Sequence, residues 1–146
     1  MSAYGTIQSP FSNAPALPST IWPIRPTPSN PHPYLTIHHL TLRTARLLQG
    51  LVEYMRAVFE KEVEDGMTYP QEGEMGQETF ERYFFAGDVF VGIVGGQAWT
   101  GSDIEPEGRE VGLGIEEARE RREWEKCVAG YYYVSFISLS HLARER

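Results

Sequence analysis

Polar and apolar positions alternate along Tyr34 to Leu40. Leu35, Ile37 and His39 fall on one side and Thr36, His38 and Leu40 on the other, a period of two that predicts a strand with at least one buried face. The period then lengthens. Leu47, Leu48, Leu51, Val52, Met55, Val58, Phe59 and Val63 recur at helical spacing, with Thr44 placed to cap the helix and Gly66 to stop it. The stripe runs for about five turns. Asp65 to Gly76 is polar, carries Tyr69-Pro70 and reads as a loop. Gln77 to Phe85 predicts a short helix with Phe80, Tyr83 and Phe84 inward, ended by Gly87 before the apolar run Val89 to Val94, which suits a buried strand. Two helices between two strands imply one helical layer on a sheet. Val128 to Val134, extending toward Ile137, predicts a further strand with Tyr132, Val134 and Phe136 on one face. The pattern as a whole predicts an α+β fold with a small, mostly antiparallel sheet and two helices after its first strand.

The flanks change character. Residues 1–33 hold eight of the ten prolines among small polar residues, a composition that predicts a disordered, Pro-rich arm. Its one apolar knot, Ile21-Trp22-Pro23-Ile24, can dock on the domain or on a partner. Residues 34–137 then form the domain and 138–146 a tail. Inside the domain, 97–126 reads as a charged insertion: first a breaker-rich loop, Thr100-Gly101-Ser102-Asp103 and Glu105-Pro106-Glu107-Gly108, then a helix from Ile115 to Lys126. In that helix Glu117 can pair with Arg121 and Arg119 with Glu123. With only Ile115, Ala118 and Trp124 apolar, it is expected to pack a thin edge on the body.

The length fits one small domain with a modest core. No apolar run reaches membrane-spanning length and no signal peptide is visible, so a soluble intracellular protein, cytoplasmic or nuclear, is expected. The single cysteine, Cys127, rules out an internal disulfide and reads as a packed thiol. His38 and His39 fall on opposite faces of a strand and cannot chelate one ion together; no Cys or Asp/Glu set stands at ligand spacing around them, so no metal site is expected. The net charge of -7 is concentrated: between Leu51 and Glu81 nine acids face two bases, Arg56 and Lys61, which accounts for the whole surplus. Such a surface repels phosphates and argues against nucleic acid, while it can draw in a cationic amine.

The order strand, helix, helix, strand, with Leu40-Thr41 before the first helix and the loop Asp65-Gly66-Met67-Thr68-Tyr69-Pro70-Gln71, resembles the amino-terminal half of the GNAT N-acetyltransferase family, in its fungal form. The resemblance covers Tyr34 to Val94 and resumes at Ala129-Gly130-Tyr131-Tyr132-Tyr133-Val134, similar to the family's third strand; it does not extend over Ser135 to Arg146. It implies acetyl transfer from acetyl-CoA to an amine by direct attack on the thioester, with an amide to polarise the carbonyl, a route for the amine's proton and an acid for the thiolate. Tyr69, Glu72 and Glu74, in the loop that would approach the acceptor, are the candidates for substrate contact or proton relay. Arg109-Glu110-Val111-Gly112-Leu113-Gly114 fits the family's acyl-CoA pyrophosphate signature, in which glycines let the backbone approach the phosphates and amides at a helix start supply donors. Arg109, Gly112 and Gly114 are therefore the cofactor candidates. The family places this motif directly after its fourth strand, whereas Trp99 to Gly108 has no strand pattern, and Glu116 and Glu117 would lie beside the phosphates.

Two consequences are expected from the loss of family pattern after Val134: the chain is a shortened or misassembled form of a longer acetyltransferase, and its last strand exposes a bonding edge that favours self-association. Three readings follow. The first is an acetyltransferase by descent, of doubtful catalytic competence. The second is a non-catalytic interaction module with an acidic helical face. The third is a complete enzyme whose insertion supplies the pyrophosphate loop.

Overall fold

The computed structural model describes residues 16–66, 76–95 and 106–134. Within them the chain runs β1 (Ser19–Pro23), β2 (Tyr34–Leu40), α1 (Leu42–Arg46), α2 (Leu51–Gly66), α3 (Gln77–Phe84), β3 (Asp88–Val94), β4 (Arg109–Val111), α4 (Ile115–Arg119), α5 (Trp124–Cys127) and β5 (Val128–Val134). The strands form one antiparallel sheet in the order β4-β1-β2-β3-β5. The fold is α+β. Among the described residues no helix is long and apolar enough to cross a membrane.

The alternation read in β2 sets the two faces. Leu40 lies opposite Val89, His38 opposite Val91 and Thr36 opposite Ile93, and Val89 and Val91 in turn lie opposite Tyr133 and Tyr131 of β5. Leu51, Val52, Met55 and Phe59 of α2 and Phe80 and Phe84 of α3 are buried on this face with Val89, Val91 and Ile93. The rings of Phe59, Phe80, Phe84, Tyr131 and Tyr133 interlock edge to face, tilted or stacked, with centroids 4.9 to 5.9 Å apart. The opposite face carries Leu35, Ile37, His39, Phe90 and Tyr132.

Three features differ from the expectation drawn from sequence. Residues 19–23, within the segment expected to lack regular structure, form β1, paired with β2 on one side and β4 on the other. Ile21 is fully buried there with Tyr34 and Val111 in a small second core. Proline is tolerated because Pro23 ends the strand, and β4 pairs only with Ser19 to Ile21. Residues 1–15 lie outside the described residues.

The long helix is broken in two. Thr41, rather than Thr44, caps α1, with Thr44 closing a reciprocal capping box. Gly50 then takes φ +80, a left-handed conformation that glycine alone adopts without strain, and leaves the Gln49 carbonyl to accept the Trp124 indole N–H at 2.7 Å. Leu47, expected on the inward stripe, is 80% exposed.

The charged helix is also broken, into α4 and α5, because Glu120 and Arg121 adopt left-handed φ of 53 and 61. The Arg122 guanidinium fastens this turn by donating to the carbonyls of Ala118, Arg119 and Gly95 at 2.8, 2.8 and 2.9 Å. Far from a thin edge, the segment buries Ala118, Trp124 and Cys127 in the main core. Finally, the strand run 128–134 is as expected, but Tyr132 and Val134 are half exposed on the open face; Phe136 lies outside the described residues.

Candidate functional site

Arg109 to Gly114 forms strand, turn and helix start. Arg109 to Val111 is β4 itself, Gly112 and Leu113 make the turn, and Gly114 in extended conformation precedes α4. Arg109, Glu110 and Gly112 are exposed, and Val111 is anchored in the second core. The Ser19 hydroxyl lies 2.7 Å from the carbonyls of both Val111 and Leu113, its one proton shared between them, so β1 fixes the turn. A side chain built on Gly112 would meet open space, whereas one on Gly114 would come within 3.4 Å of the Glu117 carboxylate.

These residues do not fit a pyrophosphate well. The first turn of α4 carries Glu116 and Glu117, with Glu117 folded over Gly114, so the charge next to the glycine turn is negative. The helix is only five residues long and offers little dipole. Arg109 is the one cation in the motif and stands at the strand's far end. The turn also hangs on β4, at the opposite edge of the sheet from β5. Four strand spacings separate those edges, roughly 19 Å.

Tyr69, Glu72 and Glu74 lie outside the described residues. Cys127 is fully buried, and desolvation pushes its thiol above the ordinary range despite the nearby Arg122 and Arg119. A thiol held neutral in a core packs rather than attacks. Among the described residues no group of three His, Cys, Asp or Glu side chains could hold a metal ion.

The adjacent histidines do point to opposite faces. His38 is buried on the helix side with its Nε2 2.8 Å from the Thr36 hydroxyl, and burial lowers its pKa to about 4. His39 is held at both ring nitrogens: the Leu17 backbone N–H donates to Nδ1 at 2.9 Å, and Nε2 lies 3.0 Å from Asp88 Oδ1. Since Nδ1 accepts, Nε2 carries the proton and donates it to Asp88. With both nitrogens engaged, His39 is a strut and not a free base.

A further concave surface lies at the other edge. A groove of about 360 Å³ runs between α2 and β5, floored by Phe59 and Phe84 and walled by Tyr54, Val58 and Glu62 on one side and the strand from Val128 to Tyr133 on the other. The Tyr131 hydroxyl crosses it to donate to the Met55 carbonyl at 2.7 Å, and Tyr133 meets the Tyr83 hydroxyl at 3.3 Å. Burial, then Cys127 and Glu125, raises the pKa of Tyr54, so that phenol stays protonated. Sequence reasoning passed over this groove. The only signal for it was the period shared by Tyr54, Val58 and Glu62 on one helix line, opposite the alternating tyrosines.

No protein-family model, curated protein or solved structure matches the chain.

Proposed function

We propose that this chain carries the opening portion of an acetyl-CoA-dependent N-acetyltransferase fold, whose reaction moves an acetyl group onto an amino group. The observation that supports the reading is the arrangement of β2, β3 and β5 as an antiparallel run with the three helices α1 to α3 inserted between β2 and β3 and packed on one face. The resemblance implies strand, helix, helix, strand; here the first of those helices is divided into α1 and α2. Tyr69, Glu72 and Glu74 remain the candidates for contact with the amine. Because the first turn of α4 beside Gly114 carries Glu116 and Glu117, no step is assigned to a cofactor held by Arg109, Gly112 and Gly114.

A second reading is favoured by a specific feature. Among the described residues β5 is the last strand in the sheet order, and it borders the α2 groove. Such an edge recruits a strand from a partner, or from a second copy, and makes the chain a binding module with no chemistry of its own.

Titration of the full chain with acetyl-CoA by calorimetry separates the two. Saturable binding supports the acetyltransferase reading; no heat at millimolar acetyl-CoA overturns it and leaves the module. Where binding is seen, Gly112→Glu tests the glycine turn. The acidic surroundings predict that the variant binds as well as the parent, and a loss of more than about ten-fold (about 1.4 kcal/mol) would assign the pyrophosphate to residues 109–114 after all.

A further inference from the structure

We propose that the cleft between the start of α2 and the α4–α5 turn binds a short free peptide, a zwitterion whose carboxylate meets Arg121 and Arg122 and whose ammonium meets Glu53. The inference goes beyond both readings above, neither of which uses this cleft. Three observations carry it.

The first is the cleft itself. It has a volume of about 680 Å³ and lies between Gly50, Glu53 and Tyr54 on one bank and the run from Arg121 to Glu125 on the other. Ligand cavities span about 300–1,000 Å³, so there is room for two or three linked residues. Gly50 keeps the floor bare, since a side chain built there would touch the Trp124 indole at 3.6 Å. That indole bonds across to the Gln49 carbonyl and has the Arg119 guanidinium 4.1 Å from its ring centroid, so the two banks are held at a set separation.

The second is the backbone that presents Arg121. Glu120 and Arg121 both take left-handed φ, of 53 and 61, a conformation uncommon for one residue with a side chain and more so for two in succession. The Arg122 guanidinium secures it through the carbonyls of Gly95, Ala118 and Arg119. Backbone held against its preference clusters at sites that clamp ligands. Its result here is an exposed Arg121 that lines the cleft.

The third is charge. Glu53, Glu123, Glu125, Arg121 and Arg122 all line the cleft, and among the described residues none of them forms an ion pair. The bonds of Arg122 go to carbonyls, which satisfy donors and leave its charge uncancelled. A guanidinium fork matches a carboxylate. The acids gather at the other pole: Glu53 is the chain neighbour of Tyr54, and Glu125 is one of the groups that raise the Tyr54 pKa. A ligand of one sign is drawn to one pole and repelled by the other, whereas a molecule with a charge at each end is favoured at both. Packed helices lie about 8–10 Å apart, and three extended residues reach about 10 Å. A tripeptide therefore spans the poles, and a single amino acid does not.

The test titrates the full chain by calorimetry at low salt with trialanine, with N-acetyl-trialanine and with trialanine amide. Trialanine carries both charges and is expected to bind at least about ten-fold more tightly than either blocked peptide. Arg121→Gly, a residue suited to the left-handed φ, is expected to weaken the binding of trialanine and of the acetylated peptide while leaving that of the amide unchanged. Glu53→Gln, at an exposed position, is expected to do the reverse. A loss of fold would weaken all three peptides together, so the crossed pattern reports on the cleft; Arg121→Gln, which removes the charge and keeps a side chain on the turn, is expected to behave as Arg121→Gly does. Failure of trialanine to bind at millimolar concentration overturns the proposal, as does equal binding of the three peptides or a preference that survives both Arg121→Gln and Glu53→Gln. The acetyl-CoA titration reports separately on the enzyme reading, and its failure leaves this cleft untouched.

Discussion

His38 and His39 are neighbours in the chain and live in opposite worlds. His38 faces the helices, where Val91 lies opposite it on β3 and the Thr36 hydroxyl meets a ring nitrogen. His39 faces the other way, clasped between a backbone amide and a carboxylate and stacked on Phe90 at 5.0 Å. Both are buried. The difference lies in what burial is matched with. On the helix face the protein excludes water by packing, and a polar ring there must stay neutral. On the open face it excludes water around a satisfied polar clamp. The two sides of this sheet are therefore held by different forces and should fail under different insults.

The largest expected contrast comes from removing one ring on each side. Phe84 sits amid Phe59, Phe80, Tyr131 and Tyr133 with centroids 4.9 to 5.9 Å away, and little can collapse into its space. Phe84→Ala should cost about 3–5 kcal/mol. Phe90 is half-buried between His39 and Tyr132, and Phe90→Ala should cost about 1–2 kcal/mol. Urea unfolding of the two variants measures both. Equal losses would mean that the face carrying Phe90 is as thoroughly covered as the helix face, and the contrast would collapse.

Acid sharpens the same contrast. His38 has a folded-state pKa of about 4 against an ordinary value of 6.5, so below 6.5 the unfolded chain binds a proton that the folded chain refuses. Its contribution is fully present above pH 6.5, declines as pH falls toward 4 and is lost below that. A shift of this size corresponds to about 3 kcal/mol across the window. The expected observation is a steep loss of stability between those limits that His38→Gln flattens. A variant whose pH profile matches the parent's would show that His38 is not the group responsible.

How much of this was legible beforehand depends on how far apart the interacting residues stand. β2, α2, α3, β3 and β5 were readable because each is written in a local period. The breaks were not. The interruption at Gly50 is fixed by Trp124, whose indole reaches Gln49 across 75 residues, and no pattern near Leu47 reveals that contact. β1 was hidden by proline-rich composition, although Ser19 to Trp22 is itself strand-prone and needed only β2 and β4 as neighbours. For the site, residue types could mark Arg109, Gly112 and Gly114 and the acids Glu116 and Glu117 beside them, but not that β4 stands at the far edge from β5. The groove at β5 depends on α2 and β5 lying side by side, a tertiary fact that neither segment states alone.

The smallest effect in the comparison is the most diagnostic of the open face. Leu17 is tied to the sheet by its N–H to His39 Nδ1, and Asp88 holds the same ring from the other side, 49 residues away in the chain. Asp88→Asn keeps the shape and removes the charge, and should cost about 1 kcal/mol. His39→Phe keeps the stacking on Phe90 and removes both bonds, at a similar cost; the double variant should cost little more than either alone, because the two substitutions break one shared contact. Hydrogen exchange at the Leu17 amide is the direct reading. It should accelerate in His39→Phe, whose ring offers no acceptor, and much less in Asp88→Asn, which leaves Nδ1 in place. In His39→Phe the β2 ladder around Ile37 should stay protected while the Leu17 amide exchanges. Simultaneous loss of protection at both would mean that the strap and the sheet open as one unit, and that the clamp on this face has no separate existence.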